Sequence, residues 1–366
     1  MLGFIHSYSG LLLSRQFNIV MSFSLLPTNL SYKNRVAASV LVVGFLLIEF
    51  GSIYRSLYTH TAQVSEAEIF EVLPGSSLSA VANELEEKDY IVNAFTFKLL
   101  ARLRGVEGSI RVGEYELSPS LTASDLLDKI VSGDSVQYRV TLVEGWTFQQ
   151  ALEEIWNREK ISLELKDKNP LEISRLLGID QETPEGMLFP DTYFYTKGES
   201  DLDLLLRANR RLNEVLNQSW ESRLGALPFE SSYEALILAS IVEKESANNS
   251  ERGHVAGVFV RRLETGMRLQ SDPTVIYGMG DRYQGNIART DLQEQTDYNT
   301  YRISGLPPSP IALAGLESIN ATLNPLESDY LYFVSRGDGS HQFSSNLEQH
   351  NQAVQEFQRQ AENVVQ

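Results

Sequence analysis

An apolar run that ends in two carboxylates is the part of this sequence most suited to acid–base chemistry. Residues 235–242 are mostly apolar, and Glu243, Lys244 and Glu245 follow without a break. A continuous run of this kind is typical of a buried helix, and a carboxylate at its end is costly to bury unless it is paired or used. The pattern therefore predicts a helix, Tyr233 to Ser246, that carries an acid from a packed core into a cleft.

Helical geometry separates the two glutamates of this segment. Glu243 and Glu245 are two residues apart, which places them about 200° from each other around a helix axis. Both side chains cannot enter one small site if the helix continues through them. One is therefore predicted to face the cleft and the other to pair with a basic residue or to act as a cap. The simpler alternative, a solvated helix end without a chemical role, is disfavoured by the long apolar run before it.

The rest of the sequence excludes several kinds of chemistry. There is no cysteine, which excludes disulfides, thiol catalysis and cysteine-ligated zinc. The five histidines show no metal-ligand spacing, and no Walker, dinucleotide or nucleophile-elbow motif is present, so neither a metal nor a cofactor is predicted. Ser240 and Ser246 have no nearby base in sequence. A carboxylate among many tyrosine, asparagine and glutamine side chains suits a carbohydrate, although the aromatic clusters could equally belong to the core.

Length and charge set the class of protein. The chain has 366 residues, a length sufficient for two or three domains with a core that needs no disulfides. Its net charge is −17 at pH 7. Such an acidic balance argues against nucleic acid or an anionic membrane surface as the main partner. The simpler interpretation is that the acidity keeps the protein soluble.

One segment has the character of a membrane span. Residues 36–54 read VAASVLVVGFLLIEFGSIY, close to the ~20 residues that cross a bilayer. Lys33 and Arg35 precede the segment, and basic residues on that side favour a cytoplasmic N-terminus and an exported body. This predicts a cytoplasmic tail over residues 1–35, or a shorter one if translation starts at Met21. A cleaved signal peptide is the alternative.

A strand–turn–helix pattern occurs three times after the span. The predicted strands lie at residues 69–73, 115–117 and 139–143. Each is followed by an amphipathic helix, and Thr122 and Thr147 open capping boxes at two of the helix starts. Short units of this kind resemble the LysM-like glycan-binding fold, so a LysM-like domain is expected over residues 66–160. A small α+β spacer without a ligand is an equal alternative.

The remaining part, residues 161–366, is predicted to form a mixed domain, which makes the expected fold class α+β. Asp272 and Pro273 are expected at the N-cap and the first position of a helix, and Ser345 at the cap of the closing helix. A turn at residues 337–339 predicts a hairpin. Further helices are predicted at residues 204–216 and 255–264.

Four stretches make the sequence similar to a known family. They read LFPDTYFY, IVEKESANNSERGHVAGVFVRRLETGMRLQSDPTVIYGMG, DYNTYRISGLPPSPIALAG and YLYFVSRGDGSHQFSSNLEQHN. In this order they resemble the endolytic murein transglycosylase (YceG-like) family, and the resemblance extends over residues 36–360. Ser309 stands where the family usually has a glycine, and Ala314 where it has a proline, in the loop before Gly315.

The resemblance implies a bacterial inner-membrane enzyme that faces the periplasm, cuts nascent peptidoglycan strands internally and thereby ends their elongation. It assigns catalysis to Glu245. Glu243 is our second choice, in a supporting role. Peptidoglycan synthases are the expected protein partners, and the membrane is contacted through the single N-terminal helix. Substrate contacts are expected from polar residues of the family motifs: Gln270, Asp272, Tyr298, Asn299 and Tyr301.

The expected reaction is a lytic transglycosylation that needs one protein carboxyl group. Protonated Glu245 would donate to the β-1,4 glycosidic oxygen between MurNAc and GlcNAc, and the MurNAc C6 hydroxyl would attack C1 to leave a 1,6-anhydro end. Burial at the end of an apolar helix raises a carboxyl pKa, which agrees with this role. Two alternatives stay open: a hydrolase with Asp191 or Asp272 as its second carboxylate, and a non-catalytic scaffold that binds cell-wall glycan.

Overall fold

The structure is a computed structural model that describes residues 31–59, 66–246 and 248–364. Within these residues it is an α+β protein, as expected, with helices and three two-stranded antiparallel sheets. The chain forms two compact units, one that ends at Ser135 and one that begins at Val136.

The first described element is the long apolar helix α1, Tyr32–Tyr58. Its segment Val36–Tyr58 is long and apolar enough to cross a membrane and contains the predicted span. The last turn packs into the first unit: Leu57 is buried in its core, and the Ser56 hydroxyl donates to Thr96 Oγ1 at 3.1 Å. The sequence before residue 31, with the alternative start at Met21, lies outside the described residues.

In the first unit, two helices lie in chain order between two strands that pair with each other. Strand β1 (Glu68–Val72) pairs antiparallel with β2 (Gly113–Leu117), so that the buried rings of Phe70 and Tyr115 lie opposite each other. Asn93 caps a helix that the sequence analysis did not predict, by accepting from the backbone N–H of Thr96. The elements of this unit are β1 (Glu68–Val72), α2 (Leu78–Glu87), α3 (Ala94–Leu103), β2 (Gly113–Leu117) and α4 (Ala123–Ser132).

The third strand–turn–helix pattern belongs to the second unit. The second unit therefore begins at Val136 and not at residue 161, where the sequence analysis placed the boundary. Strand β3 (Tyr138–Thr141) pairs antiparallel with β4 (Thr192–Tyr195). The helix that follows, α5 (Phe148–Trp156), begins at the predicted Thr147 capping box. It buries one apolar face in the core of the second unit. Residues 136–160 are therefore folded with the chain that follows them.

Helix α8 (Ser232–Glu245) is the centre of the second unit. Residues Ala235 to Val242 are all buried, as the apolar run predicts. The other helices and strands of the unit are α6 (Pro170–Leu177), α7 (Asp201–Glu221), α9 (Asn249–Glu264), α10 (Asp272–Met279), α11 (Leu316–Leu323), β5 (Tyr332–Ser335), β6 (His341–Ser344) and α12 (Leu347–Val364). Helix α8 packs against α7, α9, α10 and α11.

Two helix starts differ from their predictions. Ser271, not Asp272, occupies the N-cap position of α10, and Asp272 is its first residue. At the closing helix α12, the side chain of Asn346 accepts from the backbone N–H of Gln349, in place of the predicted cap at Ser345. Neighbouring serine, aspartate and asparagine residues are all good N-caps, so composition alone does not choose between them.

Candidate active site

A cavity of about 540 Å³ opens at the C-terminal end of α8. One wall is polar and comes from the helix end and the segments beside it: Glu245, Arg262, Gln270, Asp272 and Tyr301. The opposite wall is formed by the β5–β6 hairpin and α12: Tyr332, Phe333, Val334, Ser335, His341, Leu347, His350, Asn351 and Val354. The cavity therefore joins a group of ionisable residues to a wall rich in rings and aliphatic side chains.

Glu245 is the last residue of α8 and lies partly buried in the polar wall. Its Oε1 accepts a hydrogen bond of 2.5 Å from the Ser271 hydroxyl. Burial raises the pKa of Glu245 to about 7, and the negative charge of Asp272 adds to the increase. The hydrogen bond from Ser271 and the positive charge of Arg262 act in the opposite direction. A carboxyl group in this environment is in part protonated at neutral pH.

Glu243 faces away from the cavity and is fully engaged. Its Oε1 accepts from Arg252 Nη2 at 2.9 Å, and its Oε2 accepts from the backbone N–H of Gly315 at 3.0 Å. The exposed fractions of the Glu243 and Arg252 side chains are 5% and 7%. The structure thus has the arrangement that helical geometry predicts, with one glutamate in the cavity and the other in a buried ion pair.

The segment after α9 places Gln270 and Asp272 in the cavity lining, with the buried Ser271 between them against Glu245. Gln270 has a backbone φ of +52°, a left-handed conformation that is uncommon for a residue with a side chain. Ser271 contacts Glu245, and Asp272 Oδ1 accepts from the hydroxyl of Tyr301 at 2.6 Å. Gln270, Asp272 and Tyr301, which the sequence analysis selected, therefore lie together beside Glu245.

Tyr298 and Asn299 are absent from the described lining of this cavity. Asn299 is only 1% exposed, and its side-chain Nδ2 donates to the carbonyls of Asp291 and Glu294. Its Oδ1 accepts from the backbone N–H of Tyr301. The Tyr298 hydroxyl shares a hydrogen bond with Ser309. These contacts hold the loop that carries Tyr301, and they correct the expectation that both side chains face the cleft.

Arg262 is a cavity residue that the sequence analysis missed. It is 6% exposed and lies 5.3 Å from the ring centroid of Tyr332. Its Nε and Nη1 donate to the carbonyls of Leu331 and Leu269 at 2.7 and 2.5 Å. The guanidinium therefore joins α9 to the hairpin and places a positive charge near Glu245. The only signal in the sequence is an arginine that follows the apolar stretch 255–260.

Two histidines also contribute to the opposite wall. His341 Nδ1 lies 2.9 Å from Glu251 Oε2, and the ring of His350 stacks on Tyr332 with centroids 5.1 Å apart. Burial lowers the pKa of His350. Both histidines belong to the family-like hairpin motif, but a lone histidine in sequence gives no indication that it lines a cavity.

The two carboxylates proposed for a hydrolase lie in different places. Asp191 is exposed, outside the described cavity lining, and its Oδ1 accepts from the adjacent N–H of Thr192. Asp272 lies in the cavity, bonded to Tyr301. Among the described residues, no group of three or more histidine, aspartate or glutamate side chains could hold a metal ion.

Comparison with known proteins agrees with these motifs. The profile of the YceG-like family matches residues 70–356. The endolytic murein transglycosylase of Bacillus subtilis (strain 168) is 29% identical over 300 residues, which are 77% of this chain and 82% of that protein. An endolytic murein transglycosylase of Streptococcus pneumoniae serotype 2 is 27% identical over 319 residues, 77% of this chain and 57% of the relative.

A solved structure of a YceG-like protein from Listeria monocytogenes is 30% identical, with a TM-score of 0.49, and the match covers 78% of this chain and 99% of that one. The family match extends over both compact units and includes every residue of the cavity. This chain therefore belongs to the YceG-like family.

Proposed function

We propose that this protein is an endolytic lytic transglycosylase that cuts peptidoglycan strands at the MurNAc–GlcNAc β-1,4 bond and leaves 1,6-anhydroMurNAc ends. The relatives named endolytic murein transglycosylase support the substrate and the reaction class. The observation that carries the proposal is Glu245: one partly buried carboxyl group with a pKa of about 7, in a cavity large enough for sugar rings.

Glu245 acts as the acid in the first step. The proton on its free oxygen passes to the glycosidic oxygen, the C1–O bond of MurNAc breaks, and the departing GlcNAc keeps the proton as a hydroxyl. Positive charge develops at C1 and the ring oxygen, opposite the carboxylate that has just formed. A pKa near neutrality suits a group that must give up a proton and then take one back.

Glu245 acts as the base in the second step. The MurNAc C6 hydroxyl attacks C1, and its proton returns to Glu245, which restores the enzyme without consuming water. Because the nucleophile belongs to the substrate, it has a high effective concentration at C1. A second protein carboxylate is therefore not needed, and Glu243 can serve a structural purpose in its pair with Arg252.

Substitution of Glu245 tests this assignment. Glu245→Gln keeps the shape of the side chain but removes the proton donor, and we expect release of anhydro-muropeptides from uncrosslinked glycan to stop. The matched control is Glu264→Gln, the same change at an exposed position of α9, which should retain full activity. Full activity of the Glu245 variant would overturn the proposal. A parent protein that binds glycan strands but leaves them uncut would overturn it as well and would identify a scaffold.

Mass spectrometry of the products separates the transglycosylase from a hydrolase. The two transglycosylase products together have the mass of the intact strand, so the fragment with the anhydro end is one water lighter than the same fragment with a hydrolysed reducing end. The hydrolase alternative depends on Asp272, which lies in the cavity, although its hydrogen bond to Tyr301 engages one of its oxygens. Reducing ends as the main product would favour this alternative.

We also propose a LysM-like glycan-binding role for the first unit. The order strand–helix–helix–strand in residues 68–117 and the antiparallel pairing of β1 with β2 support it. The purified unit together with the last turn of α1, residues 55–135, should sediment with insoluble peptidoglycan if this is correct. If the unit stays in the supernatant instead, it does not bind glycan, and the interpretation as a spacer without a ligand is correct.

The apolar helix α1 supports a single-pass inner-membrane anchor. Lys33 and Arg35 before the span support a cytoplasmic N-terminus, with the catalytic unit in the periplasm. The proposal also includes that the protein acts beside elongating peptidoglycan synthases and ends the growth of their strands. Because the chain has no cysteine, single introduced cysteines report the topology. A cysteine at exposed Leu224 should react with an impermeant maleimide in intact spheroplasts, and protection there would reverse the orientation.

A further inference from the structure

Ser271 occupies a helix cap position but does not cap the helix. A serine at the N-cap normally accepts a hydrogen bond from a backbone N–H of the first helical turn. In α10, the Ser271 side chain makes no such bond. Its hydroxyl instead donates to Glu245 Oε1 at 2.5 Å, across 26 residues of chain. The usual local contact is replaced by one with the cavity carboxyl group.

The backbone around Ser271 is fixed by two buried threonines. Ser271 N–H donates to Thr300 Oγ1 at 2.9 Å, and Ser271 O accepts from Thr274 Oγ1 at 2.7 Å. The two threonine hydroxyls are 2.8 Å apart, and both residues are completely buried. The left-handed Gln270 comes directly before, with its N–H bonded to the carbonyl of Thr300. Strained backbone held by buried contacts is a feature of functional sites.

We propose that Ser271 is a positioning residue for the acid–base cycle of Glu245: it binds Oε1, leaves Oε2 to carry the proton, and stabilises the carboxylate that forms when the proton is given away. This inference rests on the proposed function. Ser271 exchanges no proton itself. The proton moves from Oε2 to the glycosidic oxygen and returns to Oε2 from the C6 hydroxyl, while the Ser271 hydrogen bond persists throughout.

Several charged and titratable groups face Glu245 from other elements. Asp272 of α10 disfavours its ionised form, and Arg262 of α9 favours it. The remaining groups in the cavity are Tyr301, Tyr332, His341 and His350. Since none of these is changed by a substitution at Ser271, a difference between the pH profiles of the parent and a Ser271 variant reports the single hydrogen bond.

The test is the pH dependence of kcat for the full chain on uncrosslinked glycan. Ser271→Ala removes the donor, and the loss of a hydrogen bond to a charged group should lower kcat by about 10- to 100-fold. The alkaline limb of the profile should move to higher pH, because the ionised form of Glu245 loses a stabilising partner. Ser271→Thr, which retains the hydroxyl, should restore the position of the limb. A merely structural role would lower kcat without moving the limb.

Two further variants keep the test decisive. Ser219→Ala removes a buried serine hydroxyl that bonds Asn320 in the same unit, and it should leave the limb unchanged. Thr300→Val releases the Ser271 backbone while it keeps the Ser271 hydroxyl, so it applies if Ser271→Ala does not fold, and it should move the limb in the same direction. An unmoved limb in folded Ser271→Ala or in Thr300→Val overturns this inference, whereas an active Glu245→Gln variant overturns the proposed function itself.

Discussion

Arg252 and Glu243 form a buried ion pair, with Nη2 of the arginine 2.9 Å from Oε1 of the glutamate. Arg252 Nε also donates to the carbonyl of Ser246, and the second oxygen of Glu243 accepts from Gly315 N–H. The pair therefore ties together the end of α8, the helix α9 and the loop before α11. Glu245 lies between the anchored residues Glu243 and Ser246, so the orientation of the proposed acid depends on an ion pair that does not enter the cavity.

The first prediction concerns the stability of this pair. Arg252→Met leaves Glu243 with a buried and uncompensated charge, and removal of one partner from such a pair costs about 3–5 kcal/mol. We expect a decrease of this size in the free energy of unfolding, measured by urea denaturation. The control is Arg282→Met, which breaks the exposed pair with Glu294 and should cost less than about 1 kcal/mol. Equal small losses in both variants would contradict a structural role for the pair.

The second prediction concerns the pH dependence of activity. The first step requires protonated Glu245, and its pKa is about 7. The rate should therefore fall as pH rises through about 7, by about tenfold for each further unit. A profile of kcat against pH on uncrosslinked glycan measures this limb. A rate that stays constant to about pH 9 would show that the acid is another group, or that its pKa lies far higher.

The third prediction concerns the effect of Glu245 on the stability of the folded protein. The folded state raises the pKa of Glu245 from 4.5 to about 7, so the folded protein binds the proton more tightly than the unfolded chain. The contribution of Glu245 to the free energy of unfolding is therefore greatest below about pH 4.5 and decreases as pH rises towards 7, where the folded group ionises as well. Glu245→Gln removes this decrease. At about pH 8 it should be more stable than the parent by an amount on the order of 2 kcal/mol, with no difference near pH 4.5.

Sequence patterns predicted the features that depend on local periodicity. The buried helix α8, the capping boxes at Thr122 and Thr147, and the hairpin around residues 337–339 are all confirmed. Local geometry also separated Glu243 from Glu245, because a helix fixes the angle between neighbouring side chains. Each of these inferences uses residues within one element.

Contacts between distant parts of the chain could not be predicted in this way. Strand β3 pairs with a strand about 50 residues later, so its repeat-like pattern placed it in the wrong unit. Ser271 contacts Glu245, and Arg262 lines the cavity, only because α9 and α10 fold back beside α8. Asn299 was selected for its polar side chain, but its three hydrogen bonds are to backbone groups of its own loop, which composition does not reveal.

The fourth prediction concerns Glu185, a second carboxyl group with a raised pKa and no place in the described cavity lining. It is 5% exposed, and burial raises its pKa to about 7. Its Oε1 accepts from the backbone N–H groups of Phe148, at the start of α5, and Gly186, and its Oε2 accepts from the hydroxyl of Tyr277. These bonds hold α5 to the core, which makes Glu185 a structural acid.

Two substitutions at Glu185 separate its charge from its hydrogen bonds. Glu185→Gln keeps an oxygen for both N–H groups, and the Tyr277 hydroxyl can accept from the new amide. Activity should be retained. The parent protein loses free energy of unfolding between about pH 4.5 and 7, because Glu185 ionises less readily in the folded state. The glutamine variant should therefore be more stable than the parent at pH 8, by an amount on the order of 3 kcal/mol.

Glu185→Ala leaves both buried N–H groups without a partner and should cost about 2–4 kcal/mol at pH 5. Urea denaturation of the three proteins at both pH values measures these differences, and a glutamine variant less stable than the parent at about pH 8 would show that Glu185 is already ionised and stabilising at low pH.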